Sequence, residues 1–540
     1  MSFEAFDDMV KQRYDSQRAL DTINIQQRYN ELHLMKTSIM NRCVDYAVWT
    51  LPGMFPRIGL TENVEYQQNI DAVGARGVNH LANRLVMTLF QPSQPFFRIK
   101  IASKEAQALQ AAADKGDQDA IFLLKNIDSI LAEAEQSAMM KLDYNHYRTE
   151  ATTAAKHLII TGNALLYHPE DNKSRVHVYG LRDYVLLRDL SGGVIEMITR
   201  DNKAFCTFSD TIKEQLIVSK NKHSYTDDTD ITIYTRLRLE NDGKWHLTQT
   251  ADTILLDSTG VWTTDELPWI PLTWNLLRGE NYGRGLVEDY AATFHALAVL
   301  NDAIVKTCAL AADMKFGVDP SSIVDIQELN RSQPGSYHMM KKDDVFPLEW
   351  TNQIDMSSVV TMVEKLEKQV ETVFLLNSSI QRDAERVTAE EIKYMAQELE
   401  TAFGGIYSRF ATDWQLREAT LLLKRIKVSI GKDIFPQIIT GLDSLSNAGE
   451  MSNMNLWIQD LAALQSVPPQ IGNVIDPMQY AIYCAVRRGV EYKKILKSQQ
   501  QLQQEQQQAQ QQQAQAQQQD VAAQTAAQAG KQAAQPQGQQ

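Results

Sequence analysis

Apolar positions are spaced for helix over the first part of the chain. Between Phe6 and Tyr46 they recur at intervals of three and four among Lys, Arg, Asp and Gln, until Pro52 and Pro56 interrupt them. A second helix is predicted from Ala72 to Phe90, where Val78, Leu81, Leu85 and Leu89 make one apolar stripe and Pro92 and Pro95 stop it. Ala106 to Asn145 reads as one or two further helices. After Gly162 the period shortens. NALLYHP, RVHVYGL, DYVLLRDL and GVIEMITR are short, β-branched and partly alternating, and Ser191-Gly192-Gly193 fits a turn between two strands. Asn241-Asp242-Gly243 fits another, between ITIYTRLRLE and KWHLTQT. These segments predict a mainly antiparallel β-unit, about residues 162–275, set into a helical protein. No Gly/Ser/Pro-rich linker flanks it, which argues against a separate sandwich domain.

Helix returns at about Leu286 and runs without Gly or Pro to about Lys315. An irregular stretch follows, broken by Pro320, Pro334-Gly335 and Pro347. A long helix is then predicted from Ser357 to Leu376. Val359, Val363, Leu366, Val370, Val373 and Phe374 share one of its faces, and Glu364, Lys365, Glu367, Lys368 and Glu371 occupy the rest. Two long helices flanking a small module suggest a hairpin that projects the module outward. The apolar face of the second would pack on its hairpin partner or on a neighbouring subunit. A polar break, Asn377 to Arg386, precedes a long helix from Thr388 to Val428, interrupted near Gly404-Gly405. Thr388 with Glu391 makes a good helix start, because the Thr side chain and the Glu side chain satisfy each other's backbone N–H. Residues 436–494 read as two or three short helices around Pro468-Pro469 and Pro477, and the tail from Ser498 is mostly Gln and Ala. Such a tail cannot bury a core alone; side by side in many copies its first part could order as helix.

Composition narrows the function. A hydrophobic fraction of 44% permits a sizeable core. A formal net charge of −14 argues against gripping nucleic acid through phosphate neutralisation, though not against surrounding DNA without holding it. Cys43, Cys206, Cys308 and Cys484 form no Cys-x-x-Cys pair, so buried, inert thiols in a reducing cytoplasm are expected rather than disulfides or a zinc site. No apolar run approaches the roughly 20 residues of a membrane span; the best, Ala291 to Val305, is broken by His295, Asn301 and Asp302. A soluble protein made inside a cell, with no membrane, cofactor or metal, is expected. There is no Gly-x-x-x-x-Gly-Lys loop, His-Glu-x-x-His or Gly-x-Ser-x-Gly, so no enzyme is expected. The glycine stretches Gly74-Ala75-Arg76-Gly77 and Gly283-Arg284-Gly285 are too short for a phosphate site and better suit turns or close packing. Two other classes stay open: a cytosolic helical scaffold with a recruiting tail, and a hydrolase using dispersed Asp and Glu. The second requires a concave pocket with perturbed carboxylates.

Three segments resemble the head-to-tail connector (portal) proteins of podoviruses of the autographivirus type. They are AVGARGVNHLANRLVMTLFQPSQPFFRI from Ala72, GENYGRGLVEDY from Gly279 and, most specific, LLNSSIQRDAERVTAEEIKYMAQELETAFGGIYSRF from Leu375. They stand in the family's order, with TGNALLYHPE opening the β-unit between the first two, and the resemblance covers about residues 10–490. It implies a mainly α fold with an inserted antiparallel β-unit, in a ring of twelve subunits around an axial channel that serves genome packaging and ejection. By position, residues 1–284 would be the wing, 285–316 and 355–376 the stem helices, 317–354 the clip, 377–387 the tunnel loop, 388–435 a long kinked wing helix and 436–494 the crown. Residues 495–540 depart from the best-matching pattern and would be a barrel-like helix or disordered. The implied partners are further copies of the chain, double-stranded DNA, the terminase, a tail adaptor, the major capsid protein, a scaffolding protein and internal core proteins. Ser379, Gln381, Arg382 and Arg386 would line the channel at the tunnel loop. Arg382 would touch phosphates weakly and repeatedly, or these charges would pair with Asp383, Glu385 or the next subunit. Tyr337, His338, Phe346 and Trp350 would meet partners at the clip, or form its own core.

Overall fold

The computed structural model describes residues 25–56, 71–92, 95–101, 111, 118–170, 175–220, 225–252, 254–312, 316–347, 356–376, 389–426, 436–439, 454, 457–462 and 477–488. Two compact units divide the chain, residues 1–445 and 446–540.

The first helical stretch is two helices, α1 (25–35) and α2 (Thr37–Trp49), which meet at Lys36. The junction has a physical cause. The Lys36 side chain is fully buried and donates to the carbonyls of Leu181 and Tyr184, with the Tyr184 and Tyr282 rings beside it. Helix α3 (Val73–Leu89) buries the expected stripe of Val78, Leu81, Leu85 and Leu89. It is followed by strand β1 (Arg98–Ile101), α4 (Gln118–Tyr144) and α5 (Tyr147–Thr161). Helix α5 buries Tyr147, Ala151, Ala154, Ala155, Leu158, Ile159 and Ile160, and leaves Thr149, Thr152, Thr153 and Lys156 on its more open side. It stops at Gly162, whose positive φ of 76° is a left-handed cap that glycine takes without strain.

The β-unit is antiparallel throughout its named pairings and makes two sheets. Strands β2 (Asn163–Tyr167) and β3 (His177–Tyr179) pair with β10 (Trp269–Thr273) in the order β10-β2-β3. Strands β4 (Tyr184–Arg188), β5 (Val194–Ala204), β6 (Asp230–Leu239), β7 (Trp245–Ala251) and β8 (Ile254–Leu255) follow in sequence order, with β9 (Val261–Trp262) also on β7. Both predicted turns close as expected, with positive φ at Gly192 and Gly243. A helix that the sequence reading lacks, α6 (Asp210–Lys220), connects β5 to β6.

The next helix breaks at Tyr290 into α7 (Leu286–Asp289) and α8 (Ala291–Ala312). Strand β11 (Phe316–Val318), the short helix α9 (Ile326–Arg331) and β12 (Val345–Pro347) precede α10 (Met356–Val373). The interrupted helix is α11 (Ala389–Phe403), α12 (Ile406–Phe410), a π turn (Ala411–Leu416) and α13 (Arg417–Ile426). Gly404 and Gly405 both have positive φ, and Glu400 accepts from the Ser408 backbone and hydroxyl across the break. The predicted Thr388 start lies outside the described residues. Residues 436–439, expected within helices, are instead strand β13, antiparallel to β1 with Arg98 opposite Ile439. In the second unit, α14 (Pro477–Arg488) packs Ala481 and Ala485 against Trp457, whose indole donates to the Ala481 carbonyl at 2.9 Å.

All four cysteines are free thiols. Only Cys43 is buried; Cys206 and Cys308 are exposed, which corrects the expectation of buried thiols. Among the described residues no helix is long and apolar enough to cross a membrane.

Candidate functional site

The two glycine-containing segments that flank the β-unit interlock. The Asn163 amide donates to the Thr161 and Gly283 carbonyls, and its oxygen accepts from the Gly283 N–H at 2.7 Å. A Cβ on Gly162 would lie 2.4 Å from the Arg284 carbonyl carbon and the Gly285 nitrogen. Gly74 is pressed against the Trp49 carbonyl and Gly77 against the Phe374 ring. The glycines of both stretches therefore serve close packing, as their sequence suggested.

From this base α8 and α10 pack together as a hairpin. Leu297 with Ala296, Leu300 and Ile304 meets Val363 and Leu366, so the apolar face of α10 is satisfied by its own chain. Deeper, Val370 and Phe374 join the main core. At the far end β11 and β12 pair, with Phe316 opposite Pro347. The module between them leaves apolar side chains in solvent. Tyr337 is 101% exposed, Met339 100% and Ile323 92%, and Phe316 and Phe346 are exposed too. His338 is half-buried and shares a 2.9 Å hydrogen bond with the Ser336 hydroxyl.

Elsewhere a cleft of about 330 Å³ is lined by His177, Tyr179, Asp183, Arg200, Asp201 and Asn202. Burial raises the pKa of Asp183 and of Asp201 above the usual carboxylate range, while Arg200 opposes this at Asp183. The Tyr179 hydroxyl donates to Asp201 at 3.1 Å. This is a concave site with perturbed carboxylates, the feature the hydrolase alternative requires, and its lining holds no Ser, Thr, Cys or Lys. A second buried polar group sits at the π turn. Trp414 donates to the Tyr147 hydroxyl at 2.7 Å, and His168 lies 3.0 Å from Glu418. Burial, then the Glu418 carboxylate, raises the Tyr147 hydroxyl well above the ordinary tyrosine range. This group is sealed from solvent and ties α13 to α5 and β2. No cluster of His, Cys, Asp or Glu that could hold a metal is found among the described residues.

The family described as bacteriophage head to tail connecting protein matches residues 23–496. The chain belongs to that family. It is 30% identical to the portal protein of Escherichia phage T7 over 88% of this chain and 89% of that one. It is 31% identical to the portal protein of Enterobacteria phage T3, over 88% of each chain. Among solved structures it is similar to a chain of the native GTA particle neck computed with C12 symmetry. That likeness is 10% identity, 77% of this chain, 89% of that chain and a TM-score of 0.32, too low to bear on the fold.

Tyr337 and Phe346 stand in solvent on the hairpin tip, with His338 beside them. Trp350, Ser379, Gln381, Arg382 and Arg386 lie outside the described residues. What the sequence reading missed at the tip are Ile323 and Met339, both more exposed than Phe346. Their only signal is position: large apolar residues in a stretch of Gly, Pro, Asp and Ser with no periodicity that would hide them.

Proposed function

We propose that the chain is one subunit of a ring of twelve at a single capsid vertex, forming the channel through which the genome is packaged and ejected. The family match over residues 23–496 carries this reading. In it, residues 1–284 with the interrupted helix 388–435 form the wing. The hairpin α8–α10 is the stem, its tip the clip, 377–387 the tunnel loop and 436–494 the crown. The exposed apolar tip supports a clip that docks the terminase first and a tail adaptor later. The −14 charge suits a channel that must let DNA slide, because strong phosphate contacts would pin it. The energy for packaging comes from the partner motor. The exposed Val299 and Val305 of α8, and Val360 and Met362 of α10, are apolar surface that neighbouring subunits would cover. The assembled ring is a component of the virion, put together in the host cytoplasm with the capsid, scaffolding and core proteins.

Native mass spectrometry tests the ring directly: a species near twelve times 61.2 kDa with a central hole in particle averages is expected. A monomer or dimer in physiological salt, with or without scaffolding protein, overturns the ring. For the loop, Arg382→Ala is expected to change DNA retention without altering ring assembly. Unchanged packaging and retention would remove DNA contact from residues 377–387.

A further inference from the structure

Helix α3 touches both ends of the segment that leads through residues 377–388. One side of α3 is locked in the core, where Val78, Leu81 and Leu85 are buried and the helix packs on α5. A second face carries Arg76, Gly77, His80 and Arg84, whose spacing places them along one line of the helix. The Arg76 guanidinium donates to Glu371 at 2.6 Å, near the end of α10. Gly77 leaves room only for the Phe374 ring, since a Cβ there would lie 2.6 Å from it. The Leu375 backbone lies close enough to the His80 imidazole to raise a pKa that burial lowers. Two turns on from Arg76, Arg84 pairs with Glu398 on α11, with its side chain only 6% exposed.

Two details show that this contact defines geometry more than it adds stability. Leu375 has a φ of 54°, a left-handed conformation that costs a leucine about 1–2 kcal/mol and persists only where its surroundings dictate it. A largely desolvated ion pair such as Arg84–Glu398 contributes little net stability compared with apolar residues of equal volume, but it accepts only one register.

We propose that α3 is a positioning brace. Its Arg76–Gly77–His80–Arg84 face fixes the end of α10 and the third turn of α11 to one rigid base, so that the chain leaves the core at Leu376 and the helix that begins at Ala389 returns along a set line. The consequence for DNA rests on the reading of residues 377–387 as channel-facing; the brace does not.

Amide hydrogen exchange on the full-length protein in its assembled state tests this. Arg84→Met, which keeps most of the volume, is expected to speed exchange at residues 372–376 and 390–399 by about tenfold, with α5 unchanged. The charge swap Arg84→Glu with Glu398→Arg is expected to restore slow exchange where either single change does not. Arg76→Gln, at a mostly exposed side chain that cannot unfold the protein, is expected to act on 372–376 alone and decides the matter if Arg84→Met fails to fold. Unchanged exchange in both variants, or a rise equal in α5, overturns the brace. If exchange responds as expected while Arg382→Ala leaves DNA retention intact, the brace stands and the loop reading falls. If exchange is unchanged while Arg382→Ala alters retention, the loop reading stands and the brace falls.

Discussion

The interlocked glycine and asparagine segments around Gly162 and Gly283 and the tip between β11 and β12 use the same residue types to opposite ends. In the first, every glycine sits against backbone and Asn163 has its amide fully engaged. In the second, a Cβ on Gly335 would meet nothing, and Tyr337 and Met339 stand in water. One region is completed by its own chain. The other leaves large apolar side chains in solvent, and in the function proposed above that exposed set is where partners dock.

The sharpest way to break this contrast is Gly162→Ala. The new Cβ would meet backbone on two sides at a positive φ, and a loss of about 4 kcal/mol is expected in chemical denaturation. Asn163→Ala should follow, at about 3 kcal/mol, because it leaves the Gly283 N–H and two carbonyls buried without their partner. The core also carries a pH signature. Burial holds fully enclosed His157 down to about 4. From the ordinary histidine pKa near 6.5 down to about 4, the unfolded chain therefore takes up a proton that the folded chain refuses, and stability falls as the pH drops through that window. A pH series of melting temperatures should show this fall, reduced in His157→Leu. The smallest effect is expected at the tip: Tyr337→Ser should shift stability by less than about 0.5 kcal/mol while weakening capture of the clip's partner. A melting shift as large as that of Asn163→Ala would place Tyr337 in a core and erase the distinction.

The sequence carried the local parts of this architecture well. Strands β2 to β7 are short and alternate or are β-branched, and the β4–β5 and β6–β7 turns carry Gly192 and Gly243, so the strands and these two antiparallel pairings could be read directly. Helix α5 was missed because its two faces contrast weakly: Thr149, Thr152, Thr153 and Lys156 line the less buried side, and small Ala151, Ala154 and Ala155 make up much of the buried one. The pairing of β1 with β13 was invisible, since a non-local ladder leaves no trace in either strand's own pattern. At the tip the residue types were legible and their exposure was not, because Tyr337 reads the same whether it fills a small core or faces a partner. Arg84 could have been noticed as a charge within the stripe NHLANRLVM, although only the fold supplies Glu398 opposite it.

The pairing of β1 with β13 also sets an order of events during synthesis. Arg98–Ile101 leaves the ribosome early, and Pro436–Ile439 only near the end of the first unit. Until then the edge of β1 has no strand beside it; the Ile99 N–H can be met by Glu135 on α4, but the ladder itself cannot form. A nascent chain interrupted before Pro436 thus carries β1 with no strand partner, and a finished chain pairs it with β13. The ladder is therefore a closure step late in synthesis, and a chain cut short of Pro436 exposes the β1 edge to aggregation or proteolysis.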